Sequence, residues 1–307
     1  MGKKIKDPGL GKASSQHAKR MMNADGSFNI VHLNKPRRLS DAYHYLVNIS
    51  WFHFFALTFL VGFLINALFA LVYLSIGIEE IVPSTGHVIN DFINAFFFSM
   101  QTFTTVGYGL MSPLGIASGI VSSIEAFLGL MLFAFVTGLI YGRFSKPKAA
   151  IKFSENLILR DFNHTRALMF RLVNSRKTIM IYPKIAVTLS LSTQNNLGDY
   201  ENSFYSLNLE RDTINYLPTT WTIVHEIDKE SPFFEFSNND LIKQHGELLV
   251  MISYYDESFN QEVHQMHSYV LNEIKLDCKF VKAYYYNDNG QMILDYKLFD
   301  TIESVKS

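Results

Sequence analysis

The sequence predicts a membrane protein of mixed class, in which two membrane-spanning helices with a re-entrant helix between them precede a β-sandwich domain. Two long apolar runs, at about 51–76 and 116–142, exceed the roughly 20 residues that a helix needs to cross the hydrocarbon core. The segment between them is too polar to continue either helix, and after Pro147 the pattern changes to short alternating strands. The 307-residue chain is long enough to hold a membrane part at 51–146 and a soluble domain at 147–307.

The distribution of charge supports both membrane helices and predicts their orientation. The first run has no charged residue, and the second has one, Glu125. Residues 79–115 contain no Lys or Arg, whereas basic residues flank the outer ends of both helices. The positive-inside rule therefore predicts a multi-pass protein of the inner (plasma) membrane with both termini in the cytoplasm. These flanking basic residues are Arg37, Arg38, Arg143, Lys146 and Lys148.

The polar segment between the helices carries the pattern of a re-entrant loop. Asn90 or Asp91 can cap a short helix at about 91–103 that ends directly before a glycine-containing motif. The partial negative charge at the carboxyl end of such a helix favours a cation there. The alternative is a soluble hairpin outside the membrane, which the spacing favours less.

The motif after this helix is Thr105-Val106-Gly107-Tyr108-Gly109. Four copies of such a loop can line a passage with backbone carbonyl oxygens that replace the hydration shell of a potassium ion. The two glycines can adopt backbone angles closed to other residues, which lets successive carbonyls face one side. One chain supplies one loop, so the motif predicts a homotetramer with potassium ions held at residues 105–108.

The N-terminal residues divide into two predicted segments. Residues 1–37 are rich in basic and small polar residues without an apolar period, which predicts a flexible cytoplasmic segment. Residues 38–50 have an apolar and a polar helical face, which predicts an amphipathic helix on the inner membrane surface. An ordinary extension of the first membrane helix remains the alternative.

Residues after Pro147 predict an all-β domain without a ligand signature. Alternating segments occur at about 167–173, 185–192, 220–225, 247–254, 264–270 and 279–286. The turn at 287–290 predicts a hairpin into 291–296. A doubly wound nucleotide-binding domain lacks its glycine-rich turn, and the spacing of His264 and His267 places them on opposite faces of a strand, which disfavours a metal site.

The chain resembles the prokaryotic inward-rectifier potassium channels, often called KirBac channels, over about residues 25–299. Its specific marks are RFSKP at 143–147, LMFRLVN at 168–174 and WTIVHEID at 221–228, followed by Ser231-Pro232. The resemblance implies an immunoglobulin-like β-sandwich that assembles as a tetramer below the membrane. Eukaryotic relatives pair an acid and a base around the filter, but Gln101 and Met111 stand at those positions, so the filter must be braced differently. Glu125 is the nearest buried acid, expected to hydrogen-bond behind the filter, to be protonated, or to face a polar crevice without a role.

These features predict a passive, selective potassium channel with no enzymatic activity and no cofactor other than filter-bound potassium. A potassium uptake transporter subunit is the first alternative, although such subunits carry four degenerate loops in one chain. A membrane-tethered sensor is the second, and no cluster of reactive residues supports it. No nucleic acid partner is expected.

The predicted gate lies on the inner half of the second membrane helix. Phe133, Thr137 and Tyr141 recur at four-residue intervals and share one face, with Gly129 above them as a candidate bending point. Alternatively, Phe133 and Tyr141 pack against neighbouring helices. The resemblance places a second constriction in a cytoplasmic loop at about 255–261.

Two kinds of regulator are expected. The basic residues that flank the two membrane helices are candidate ligands for anionic phospholipids, and the resemblance implies inhibition by phosphatidylinositol bisphosphate. The alternative is that these residues only set topology. Strong rectifiers have an acid where Phe133 stands here, so block by polyamines or magnesium is expected to be weak, with Asp256 and Glu257 as remaining acidic candidates.

Overall fold

The structure, a computed structural model, describes residues 3–15, 20–23, 25–34, 36, 39–147, 149–195 and 197–305. The chain separates into two compact units. One is Asn34–Lys146, which we call the membrane unit. The other combines the residues up to Leu33 with those from Pro147 onward, and we call it the sandwich unit.

The membrane unit is helical. Its described helices are α1 (Leu39–Asn48), α2 (Trp51–Ile76), α3 (Val88–Phe103) and α4 (Ile116–Ser145), with a short 3-10 helix at Ile78–Glu80. By length and composition, α2 and α4 are able to cross a membrane, and in the most apolar stretch of each only 11% of the residues are buried inside the chain. Both helices therefore present most of their apolar side chains outward.

The helix α3 begins earlier than the sequence indicated. It starts at Val88, so Asp91 lies in its first turn and does not cap it. The buried Asp91 carboxylate instead accepts hydrogen bonds from the Thr85 amide (2.8 Å) and from the hydroxyls of Ser84 (2.7 Å) and Thr85 (2.8 Å). These bonds hold the loop before α3 against the first turn of the helix. Hydrophobic periodicity gives no sign of such a contact between a side chain and a preceding loop.

The helix α4 continues beyond the predicted boundary near residue 142 and ends at Ser145. Pro147 follows within two residues, and a proline disfavours helical backbone at the residue before it. The helix therefore continues past Gly142 and ends before the proline.

Within its described residues, the sandwich unit is built from strands and one short α-helix, α5 (Asn238–Lys243). Its described strands are β1 (Lys4–Ile5), β2 (Ile151–Phe153), β3 (Ile158–Phe162), β4 (Thr165–Asn174), β5 (Met180–Gln194), β6 (Tyr200–Ser206), β7 (Thr220–Ile227), β8 (Gly246–Asp256), β9 (Gln261–Val270), β10 (Lys275–Leu276), β11 (Cys278–Phe280), β12 (Tyr284–Tyr286), β13 (Met292–Leu294) and β14 (Ile302–Ser304). A second 3-10 helix, Leu271–Glu273, connects β9 to β10.

Two sheets form the sandwich. One has the order β1-β6-β5-β8-β9, and the other has the order β10-β3-β4-β2, with β7 paired to β4. The main apolar core takes side chains from both sheets, among them Leu172, Leu189 and Ile252, each 0% exposed. Phe233, also 0% exposed, joins this core from the loop after β7.

The predicted strand at 279–286 is wrong, whereas the hairpin after it is confirmed. The segment breaks into β11, which pairs with β14, and β12, which pairs with β13. Ala283 between them is 1% exposed and anchors the break in the interior. The turn into β13 closes with Gly290 at φ 75°, a left-handed angle that glycine adopts without strain.

The N-terminal segment, expected to be flexible, makes defined contacts with the sandwich unit. Strand β1 pairs antiparallel with β6. The buried Glu247 carboxylate accepts hydrogen bonds from the amides of Met21 (2.6 Å) and Met22 (3.1 Å), and Arg20 donates to the carbonyl and hydroxyl oxygens of Ser268 (both 2.7 Å). These partners lie more than 200 residues away along the chain, so local composition gives no sign of them.

Two histidines in the sandwich unit, His225 and His267, have structural partners. The buried His225 ring places Nδ1 2.6 Å from the Asn208 carbonyl and Nε2 2.8 Å from the Ser231 hydroxyl. Burial lowers the pKa of His225 below its usual 6.5. His267 stacks on Phe153, with ring centres 4.6 Å apart. Among the described residues, no three metal-binding side chains come together.

Candidate functional site

The motif at 105–109 adopts a backbone that alternates in handedness. Thr105, Gly107 and Gly109 have φ values of 58°, 53° and 85°, whereas Val106 and Tyr108 are not among the residues with positive φ. Alternation of this kind rotates successive peptide planes so that their carbonyls can face the same side, the arrangement that a carbonyl-lined ion passage needs. The sequence indicated the two glycines but not Thr105, because a left-handed threonine is uncommon.

Gln101 braces this loop from the end of α3. Its carbonyl accepts hydrogen bonds from the amides of Val106 (2.9 Å) and Gly107 (3.3 Å), and its side-chain oxygen accepts one from the Tyr108 amide (3.2 Å). A neutral amide therefore holds the loop at the position where eukaryotic relatives were expected to have an acid. The hydrogen bonds of Gln101 are therefore part of what braces the loop in the absence of an acid–base pair.

Behind α3, buried polar side chains connect the three long helices. Glu125 on α4 is 0% exposed, accepts a hydrogen bond from the Tyr73 hydroxyl of α2 (2.6 Å) and shares a hydrogen bond with the Ser99 hydroxyl of α3. The Ser99 hydroxyl also lies 3.0 Å from the side-chain oxygen of Asn66 on α2. Sequence reasoning singled out Glu125 but missed its partners, since a lone Tyr, Ser or Asn in an apolar run carries no pattern.

Gly129 lies one turn beyond Glu125 on the same buried face of α4. A Cβ at this position would overlap the carbonyl of Phe103, the last residue of α3. Glycine is therefore required here for close approach between α4 and the end of the helix that carries the loop. Its proposed role as a bending point stays a prediction beside this packing role.

The predicted gate residues lie on a face that a single chain leaves uncovered. Phe133 and Tyr141 are 73% and 74% exposed, and Thr137 is exposed too. The Thr137 hydroxyl donates to the Phe133 carbonyl at 2.8 Å, within the helix. The shared face expected from the four-residue spacing is present in α4.

Of the predicted lipid ligands, Arg143 and Lys146 lie within the described residues, and Arg37, Arg38 and Lys148 lie outside them. Arg143 donates to the carbonyls of Leu46 (2.5 Å) and Ile49 (2.6 Å), at the C-terminal end of α1. Its guanidinium also lies over the rings of Trp51 (4.4 Å) and Phe54 (4.7 Å). Arg143 therefore satisfies helix-terminal carbonyls and holds α1 against α4.

Lys146 makes a second link between these helices, because its amino group donates to the Asn48 side-chain oxygen at 2.5 Å. Lipid binding at Arg143 and Lys146 stays a prediction. A lipid headgroup would have to compete with these protein partners.

Two helices able to span a membrane, a braced carbonyl loop between them and a β-sandwich define the class of two-helix potassium channels. Comparisons with known proteins agree. Residues 151–307 match the family described as inward rectifier potassium channel C-terminal domain, and residues 58–146 match the family described as ion channel.

Relatives match along nearly the whole chain. "Inward rectifier potassium channel Kirbac3.1" of Paramagnetospirillum magnetotacticum is 35% identical over 287 residues, covering 92% of this chain and 95% of that protein. "G protein-activated inward rectifier potassium channel 4" of Bos taurus is 28% identical over 312 residues, covering 93% of this chain and 73% of that protein. "Inward rectifier potassium channel 18" of Homo sapiens is 26% identical, covering 94% and 71%.

The chain belongs to the inward rectifier potassium channel family. It is a membrane protein and a potassium channel, not an enzyme. Family membership implies tetrameric assembly.

Proposed function

We propose that four copies of this chain form one passive pore in which residues 105–109 select potassium. The carbonyls of Thr105, Val106, Gly107 and Tyr108, together with the Thr105 hydroxyl, would hold the ions, while Gly109 shapes the outer mouth. The observation that carries this proposal is the alternating backbone handedness of the motif. Both termini lie in the cytoplasm of a cell whose inner (plasma) membrane holds the channel, as the basic flanks of α2 and α4 predict.

Rubidium uptake into liposomes that hold the purified protein tests the filter directly. The parent should accumulate rubidium over sodium, and barium, a divalent ion of similar size to potassium, should block it. Gly107→Asp should abolish selective uptake, because aspartate strains the positive φ and adds a charge at the carbonyl ring. Parent-like selectivity in Gly107→Asp would mean that the filter lies elsewhere.

The gate is proposed at Phe133, Thr137 and Tyr141, on the face of α4 that a single chain leaves exposed. Gly129 is the proposed hinge above it, and the loop after β8 is a second constriction. Cysteines placed one at a time at the three gate positions should react with thiol reagents added from the cytoplasmic side. Protection of all three would contradict this location.

Anionic phospholipid is proposed to modulate the channel through Arg37, Arg38, Arg143, Lys146 and Lys148. Each can contribute about 1 kcal/mol of attraction near the inner leaflet. Lys146→Gln combined with Lys148→Gln should weaken inhibition of rubidium flux by phosphatidylinositol bisphosphate. Lys279→Gln, a change in the sandwich unit, is the control, and an unchanged dose dependence in the double variant would remove these lysines from the site.

A further inference from the structure

The polar side chains behind the filter are enclosed within one protomer. Tyr73, Ser99 and Glu125 are each 0% exposed, and Asn66 is 6% exposed. Neither lipid nor a neighbouring subunit can therefore reach the Glu125 carboxyl group. Its hydrogen bonds within the single chain are the ones it keeps after assembly.

The hydrogen atoms in this group of four are too few if Glu125 is charged. The Ser99 hydroxyl has one hydrogen but lies within bonding distance of two acceptors, Glu125 Oε1 and Asn66 Oδ1. Asn66 Nδ2 donates to the Gly62 carbonyl at 2.7 Å, which directs its Oδ1 toward Ser99. A charged Glu125 would take the Ser99 hydrogen and leave the Asn66 oxygen without a donor in this group.

We propose that Glu125 is held as a neutral carboxylic acid that donates a hydrogen bond to Ser99 and thereby positions α3 behind the filter. The bonds then run in one direction, from Tyr73 to Glu125, from Glu125 to Ser99 and from Ser99 to Asn66, and every acceptor has a donor. No ion pair to Glu125 occurs among the described residues. A neutral acid also avoids enclosing an uncompensated charge at membrane depth.

The proposal rests on the proposed filter, because the position of α3 reaches the ion passage through that loop. Ser99 lies two residues before Gln101, whose two oxygens hold the amides of Val106, Gly107 and Tyr108. A shift of α3 between α2 and α4 would therefore move the filter backbone. Glu125 acts as a positioning residue and does not contact the ion.

Two substitutions of Glu125 separate its hydrogen-bonding role from its charge. Gln keeps an acceptor for Tyr73 and a donor for Ser99 without any charge, so Glu125→Gln should stay within about twofold of the parent rubidium-over-sodium selectivity. Leu keeps the bulk and loses both bonds, so Glu125→Leu should lower selectivity by about tenfold or more. The positioning role would be overturned if Glu125→Gln lowered selectivity as much as Glu125→Leu. It would also be overturned if Glu125→Leu kept the selectivity of the parent.

Infrared difference spectra of full-length protein in liposomes test the proton independently of flux. Subtracting Glu125→Gln from the parent should reveal the carbonyl stretch of a protonated carboxylic acid. A carboxylate band in its place would overturn the neutral state, and this readout holds even if Glu125→Leu fails to assemble. A parent that passes sodium as readily as rubidium would contradict the proposed filter, whereas the infrared band would still decide the state of Glu125.

Discussion

The membrane unit and the sandwich unit arrange their polar and apolar side chains in opposite ways. On α2, large apolar side chains such as Phe52 (80% exposed) and Phe59 (76%) point outward, while the polar side chains of Asn66 on α2, Ser99 on α3 and Glu125 on α4 are buried. In the sandwich unit, aliphatic and aromatic side chains from both sheets form the interior. The membrane unit therefore has the arrangement expected in lipid, and the sandwich unit has the arrangement expected in water.

Different forces are expected to stabilise the two units. Lipid gives no hydrophobic drive for one helix to join another, so the membrane unit depends on small residues and on interhelical hydrogen bonds. Water drives the sandwich unit together in proportion to the apolar area removed from it. We therefore expect the membrane unit to be sensitive to single polar or glycine positions and the sandwich unit to be sensitive to core volume.

The largest expected effect is at the closest approach in the membrane unit. Gly129→Ala should abolish selective rubidium uptake, because its Cβ would overlap the Phe103 carbonyl and displace the end of α3. Gly138→Ala on the same helix is the control, since a Cβ there meets nothing within 4 Å. Equal uptake by both variants would contradict the packing role of Gly129.

The matching test in the sandwich unit removes core volume. Phe233→Ala should lower the free energy of unfolding by about 3–5 kcal/mol, as truncation of a buried phenylalanine does. Phe234, the next residue and 47% exposed, supplies the control variant Phe234→Ala. Chemical denaturation followed by fluorescence measures both, and a similar loss in both variants would mean that Phe233 does not belong to the core.

A charged substitution on the exposed face of α4 tests whether that face contacts lipid or the water-filled pore. If Phe133 lines the pore, Phe133→Asp should insert normally and strengthen spermine block by about tenfold, which needs only about 1.4 kcal/mol of added attraction. Planar bilayer recordings at positive potentials measure this block. Failure of Phe133→Asp to insert would indicate a lipid-facing side chain, and strong spermine block in the parent would mean that the blocking charge lies elsewhere.

The smallest expected effect is a pH dependence of the sandwich unit. Burial lowers the pKa of His225 below 6.5, so its neutral form contributes stability above that pH, and this contribution is lost as the pH falls below 6.5 toward the folded-state pKa. Thermal unfolding of the full chain should therefore shift downward over this range, and less so in His225→Gln. The exposed His264→Gln variant should follow the parent, and three identical pH profiles would exclude the effect.

The sequence predicted helices and strands better than it predicted the contacts between side chains. The apolar runs of α2 and α4, the glycine motif and the five longest strands, β4, β5, β7, β8 and β9, follow from composition and period, because these signals are local. The bracing by Gln101, the Tyr73 and Ser99 contacts of Glu125 and the Glu247 contact with Met21 and Met22 depend on residues far apart in the chain. The positive φ of Thr105 could not be predicted either, since threonine rarely adopts left-handed backbone angles.

The reversal potential of single channels in planar bilayers tests the central claim most directly. With potassium on one side and an equal concentration of sodium on the other, a pore lined by the carbonyls of residues 105–108 should pass current that reverses far from zero, toward the potassium equilibrium potential. Replacing sodium by rubidium should bring the reversal potential close to zero. Reversal near zero with sodium present would contradict a potassium-selective filter at this motif.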